Sequence, residues 1–209
     1  SASPSALFEM ADARIDNLVP RVAMLVCSSA AVLFSGVVYA FAIVQGTLVN
    51  ELHFTYSQSA AVGILMNLVG DASSVFHGAF FDAYGTTPHL TLVFLTGSIG
   101  FICASLGLAG QNPSSVWSSP AMFSAAFSFI GFAGSGAVLS LQTVNTLNFP
   151  ASMQQTIIGI IQACFGLSAF VFSTIYAEGY SHNTSAAFTL WSIVIITLWG
   201  LCVCIVKRM

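Results

Sequence analysis

The stretch SAAFTLWSIVIITLWGLCVCIV, residues 185–206, runs for 22 residues without a charge or a proline and ends against Lys207 and Arg208. As a helix it is about 33 Å long at 1.5 Å per residue, the thickness of bilayer hydrocarbon. Five more stretches of the same kind precede it, at residues 21–48, 57–81, 88–108, 119–146 and 152–177. The separators are short. They hold the turn-forming residues and most remaining charges, as in Asn50-Glu51-Leu52-His53, Asp82 to Thr87, residues 111–115, Asn148-Phe149-Pro150 and Glu178 to Thr184.

Composition agrees with this reading. Of 209 residues, 56% are hydrophobic and 5% charged, too little polar surface to cover a water-soluble globule of that size. The expected fold is an all-α membrane protein: one domain of six transmembrane helices over residues 21–209, behind an N-terminal segment of residues 1–20. Within that segment Ser3-Pro4 resembles a helix start, and Leu7, Phe8, Ala11, Ile15 and Leu18 share one face, so it is expected to lie on the membrane surface. It is unlike a signal peptide, because Glu9, Asp12 and Asp16 outnumber Arg14 and no apolar core follows. The four basic residues, Arg14, Arg21, Lys207 and Arg208, flank the first and last spans. The positive-inside rule therefore puts both termini on the cytoplasmic side, or its matrix or stromal equivalent.

Several function classes find no support. A net charge of −3 offers no basic patch, so no nucleic-acid partner is expected. The cysteines, Cys27, Cys103, Cys164, Cys202 and Cys204, are odd in number and lack a CxxC pair, and they read as packing residues rather than a disulfide framework or zinc site. No nucleophile motif, paired catalytic carboxylates or phosphate loop is present, and no enzymatic activity is expected. His53, His77, His89 and His182 fall near predicted span ends, where an amphipathic ring is tolerated. No two share a span in a bis-histidine arrangement, so haem or pigment ligation is the minority reading and no cofactor is expected. Asn183-Thr184-Ser185 fits a glycosylation pattern but sits against the last span.

The second and fifth spans resemble each other. Val62-Gly63-Ile64 through Gly70 to Val75-Phe76 matches Ile158-Gly159-Ile160 through Gly166 to Val171-Phe172, with each glycine pair seven apart. In a six-span topology these helices run in opposite directions, as in an inverted three-plus-three repeat.

Charge inside a span costs about 2.5–3.5 kcal/mol at a helix centre on insertion scales, and so demands a reason. Asp71 is the clearest instance, and on a helix it shares a face with Gly63, Asn67, Ser74 and Gly78. Tyr39, Ser128, Ser135, Gln142, Gln155 and Gln162 mark comparable faces. Such groups commonly serve as hydrogen-bonding glue between helices. The functional alternative makes Asp71, Asn67, Tyr39, Gln142 and Gln162 the lining of a solute path, with Asp71 as the coupling or substrate-contact carboxylate.

Between spans two and three the chain reads Gly78-Ala79-Phe80-Phe81-Asp82-Ala83-Tyr84-Gly85. This resembles the cytoplasmic loop signature of the major facilitator superfamily, G-x-L-a-D-r-x-G-r-r. Tyr39-Ala40-Phe41, Tyr56-Ser57-Gln58-Ser59, Gly70 and Gly78 look like the opening of its nodulin-like branch. The resemblance implies the N-terminal six-helix half of an alternating-access transporter for a small organic solute, with Gly78, Asp82 and Gly85 as the gating loop. It also implies a second six-helix half as partner. Departures point elsewhere: the basic positions of the signature are Ala83, Thr86 and Thr87, and the fourth span has no arginine. The alternative is a non-transporting accessory subunit of a large respiratory, photosynthetic or similar organellar complex, surrounded by lipid and partner helices.

Overall fold

A computed structural model describes residues 4–110, 115–180 and 183–206, with side chains from residue 18 onward. All regular structure among them is helical. The elements are α1 (Pro4–Ser35), α2 (Phe41–Asn50), α3 (Tyr56–Tyr84), α4 (Thr86–Gly110), α5 (Pro120–Asn148), α6 (Gln154–Gly179) and α7 (Thr184–Ile205). Six spans are long and apolar enough to cross a membrane: Leu18–Asn50, Tyr56–Tyr84, Thr86–Gly110, Pro120–Asn148, Ala151–Gly179 and Thr184–Ile205. Each lies within a few residues of its expected limits, and the chain is a multi-pass integral membrane protein. Helix α1 runs unbroken through Pro20 into the first span. The side chains of residues 1–17, on which an interfacial face for the N-terminal segment depends, lie outside the described residues, as do His182, Lys207 and Arg208.

Local chemistry sets the ends of the spans. Thr55 accepts a hydrogen bond from the Gln58 backbone while the Gln58 side chain accepts one from the Thr55 backbone, a reciprocal cap that starts α3. Gly85 ends α3 at φ 81°, a backbone state that side-chain-bearing residues rarely adopt. Ser119 caps α5 just ahead of Pro120 in its first turn. Asn183, the asparagine of the glycosylation pattern, caps α7 by accepting from Ala186 N at 3.0 Å.

The first span is not one continuous helix. Between α1 and α2, Gly36–Ala40 tightens into a 3-10 turn. Ser35 Oγ donates to Ala31 O at 2.7 Å and accepts from Trp199 Nε1 at 3.0 Å, while Gly36 is pressed against Ser168 of α6, whose hydroxyl donates to Gly36 O at 3.1 Å. A hydroxyl bonded back to its own helix bends it, and the indole and Ser168 hold the bend in place.

Helix α5 is the hub. Half of its apolar window is buried inside the chain, against 22% for α3 and for α6. It packs most extensively on α3 and α4; α7 covers α4, and α1 reaches α5, α6 and α7. Cys27 of α1 and Cys202 of α7 stand 3.7 Å apart, sulfur to sulfur, as free thiols in that packing.

Candidate functional site

The site begins where α3 and α5 cross. Gly70 and Gly131 meet there without side chains, and a Cβ on Gly131 would collide with the Met66 carbonyl oxygen. Just beyond, Ser74 Oγ lies 3.0 Å from Ser135 Oγ, a register offset of 61 between the two parallel helices. The close approach leaves room on one flank for a cavity of about 270 Å³.

Four spans wall this cavity. The break in the first span contributes Ser35 and Tyr39, α3 contributes Asn67, Asp71 and Ser74, α5 contributes Ser135, and α6 contributes Phe165. Tyr39 sits in the 3-10 turn itself, 55% exposed, its ring edge-on to Phe165 at 5.2 Å. Asn67 returns its amide to Gly63 O at 3.1 Å. Asp71 lies next to the midpoint of α3, is exposed, and has no hydrogen-bond or ion-pair partner among the described residues. A carboxylate at that depth cannot face acyl chains without a large cost, so the flank it lines belongs against water, solute or another protein.

Three of the five expected path residues, Asp71, Asn67 and Tyr39, therefore share one cavity. Gln142 and Gln162 do not line it. Asp71 is level with Phe132 by the α3–α5 register, which puts Gln142 ten residues further along α5, about 15 Å away. There Gln162 Nε2 donates to Gln142 Oε1 and ties α6 to α5.

The α3–α4 connection places Asp82 at the exposed end of α3, without a hydrogen-bond or ion-pair partner among the described residues. Gly85 makes the turn. Gly78 is open on its Cα side, with no atom within 4 Å of where a Cβ would stand.

A second polar site was not anticipated from the span-end positions of the histidines. His77 of α3 and His89 of α4 are both fully buried, with His77 Nδ1 2.9 Å from His89 Nε2. The other nitrogen of His77, Nε2, lies 2.9 Å from Phe132 O, and His89 Nδ1 is hydrogen-bonded to Ser140 Oγ. Ser140 in turn reaches Gly136 O at 2.7 Å. Gly136 has no side chain because the His77 ring occupies that space. One sequence cue points to the pairing: the histidines stand eight and four residues to either side of the turn at Gly85, with Gly136 and Ser140 one helical turn apart on α5. His53, by contrast, is exposed at φ 57° in the turn that follows α2.

Among the described residues no group of three or more His, Cys, Asp or Glu side chains is arranged to hold a metal ion. Compared with known proteins, the chain matches no family model, no curated protein and no solved structure.

Proposed function

We propose that this chain is half of a facilitator-type transporter, moving a small organic solute by alternating access together with a second six-helix half. The observation that carries this reading is the cavity at mid-membrane depth, walled by a broken first span and bearing Asp71, which has no counter-charge among the described residues. Interrupted helices at substrate sites near the bilayer midplane are a general feature of secondary transporters. A space of about 270 Å³ suits a metabolite-sized molecule rather than a bulky one.

The packing order supports the inverted three-plus-three repeat. Span four lies against spans two and three, and span one lies against spans five and six; spans three and six pack on each other away from the cavity. In this orientation both termini and the Asp82 loop face the cytoplasm or its organellar equivalent, and Asp82 with Gly85 serves the gating turn.

Extraction in a mild detergent followed by imaging of the intact assembly tests the proposal. A twelve-span particle with the Asp71 cavities facing a shared axis is the expected result. In proteoliposomes, Asp71→Asn removes solute-driven proton movement by at least about tenfold, the scale of a lost 1.4 kcal/mol interaction. A chain wedged at the rim of a large complex, with the cavity filled by a neighbouring helix, overturns transport.

That second outcome is the accessory-subunit reading, and a specific observation favours it. The loop positions that carry cations in the facilitator signature are Ala83, Thr86 and Thr87, and α5 contains no arginine, so Asp82 has no cation of that signature to pair with.

A further inference from the structure

We propose that His77, His89 and Ser140 form a buried site that binds one proton, and only one, at the junction of α3, α4 and α5. The inference rests on counting hydrogens along the bonded chain, and does not depend on the transport reading.

Phe132 O can only accept, so His77 Nε2 carries a hydrogen in every state. With both rings neutral, His77 Nδ1 is then an acceptor and His89 Nε2 must donate to it. His89 Nδ1 is left as an acceptor, and the Ser140 hydroxyl turns to donate to it. Every ring nitrogen is satisfied, and Gly136 O keeps the amide bond of its own helix.

Add one proton, and the same atoms form the reverse chain. His77 now carries hydrogens on both nitrogens and donates from Nδ1 to His89 Nε2. His89 has moved its own hydrogen to Nδ1 and donates it to Ser140 Oγ, which releases its hydrogen to Gly136 O at 2.7 Å. Again every donor has an acceptor, and no heavy atom has moved. The positive charge is spread along a chain ending on two backbone carbonyls, which offsets part of the cost of burying it.

A second proton has no place. It would put N–H groups on both His77 Nδ1 and His89 Nε2, pointed at each other across 2.9 Å, with two like charges in the apolar interior. The surroundings supply no competing charge. Helix α5 contains no titratable residue, and α4 contributes only His89 and, more than three helical turns away, Cys103. On α3 the nearest groups are Asp71, Asp82 and Tyr84, all exposed and none bonded to the pair. Helix α7, on the far side of α4, brings Cys202 and Cys204, and Cys202 is turned toward Cys27. The rings of Phe76, Phe80, Phe81 and Phe132 surround the pair and exclude water. The pair therefore adjoins the cavity through Ser135, the neighbour of Gly136, yet is itself fully buried.

Nitrogen-15 NMR of histidine-labelled protein in lipid nanodiscs tests this on the full chain. His53→Asn and His182→Gln leave the pair as the only reporters; asparagine tolerates the positive φ at position 53. Between about pH 8 and about pH 3, a range that runs from above ordinary histidine titration to well below it, the two signals change together. At the alkaline end both rings are neutral Nε2–H tautomers. At the acidic end one imidazolium per chain is present and the other ring has become the Nδ1–H tautomer. Infrared difference spectra of the same doubly substituted chain give the buried imidazolium count independently. Neutral rings throughout, two buried imidazoliums per chain, or an imidazolium formed without the tautomer change would each overturn the proposal.

Discussion

The two sides of α3 handle polar groups in opposite ways. Toward α5 and α4, His77 is fully buried and each of its nitrogens has a partner. Toward the cavity, less than two turns away, Asp71 is exposed and has no partner among the described residues. In a medium without water, a closed polar network holds helices together, whereas an open polar group has a purpose outside the chain. Stability is thus expected to reside on one side of the helix and function on the other.

Perturbing the α3–α5 crossing gives the largest effect. Gly131→Leu drives a side chain into the Met66 backbone, which cannot rotate out of the way, and is expected to abolish a monodisperse folded peak in detergent; a folded variant would show that the helices approach less closely. Next is His77→Leu, which leaves His89 and Phe132 O without their partner. It lowers stability by about 1–3 kcal/mol in denaturant titration, and an unchanged midpoint would mean the network is not closed. Gln142→Leu removes a single interhelical bond and costs about 0.6 kcal/mol, the average for such bonds in a membrane. On the open side, Asp71→Asn changes stability by less than about 0.5 kcal/mol, since no partner within the described chain is lost; a larger loss would reveal a structural role. Gly78→Ala is expected to cost nothing and to stabilise by up to about 1 kcal/mol, because nothing stands where its methyl would go and alanine is favoured over glycine inside a helix; a loss of stability would place a neighbour there.

The spans were legible because bilayer thickness imposes a length that composition alone can satisfy, and residues 185–206 satisfy it without a single charge. Helical periodicity was enough to put Asp71, Asn67 and Ser74 on one stripe. It was not enough to bring Gln142 to them, because that depends on how far α5 slides along α3, a register set by the glycines at the crossing. The break at Gly36–Ala40 was hidden in an uninterrupted apolar run, Val-Val-Tyr-Ala-Phe, and arises from contacts with Trp199 and Ser168 far along the chain. The histidine pair was missed for a related reason. Each ring, taken alone near a span end, suits the interface, and only the tight turn at Gly85 folds them onto each other beneath α5.

Asp71, unpartnered among the described residues, requires that its side of α3 meet water while the adjoining side meets lipid. In a chain whose native cysteines are replaced by serine or alanine, Asn67→Cys and Ala72→Cys place thiols within the middle of the span, about 7.5 Å apart in depth and on sides of α3 about 140° apart, and both positions are exposed in the isolated chain. With the chain reconstituted in its native membrane, a membrane-impermeant thiol reagent is predicted to label position 67 and spare position 72. Equal protection of both, or preferential labelling of position 72, would contradict it.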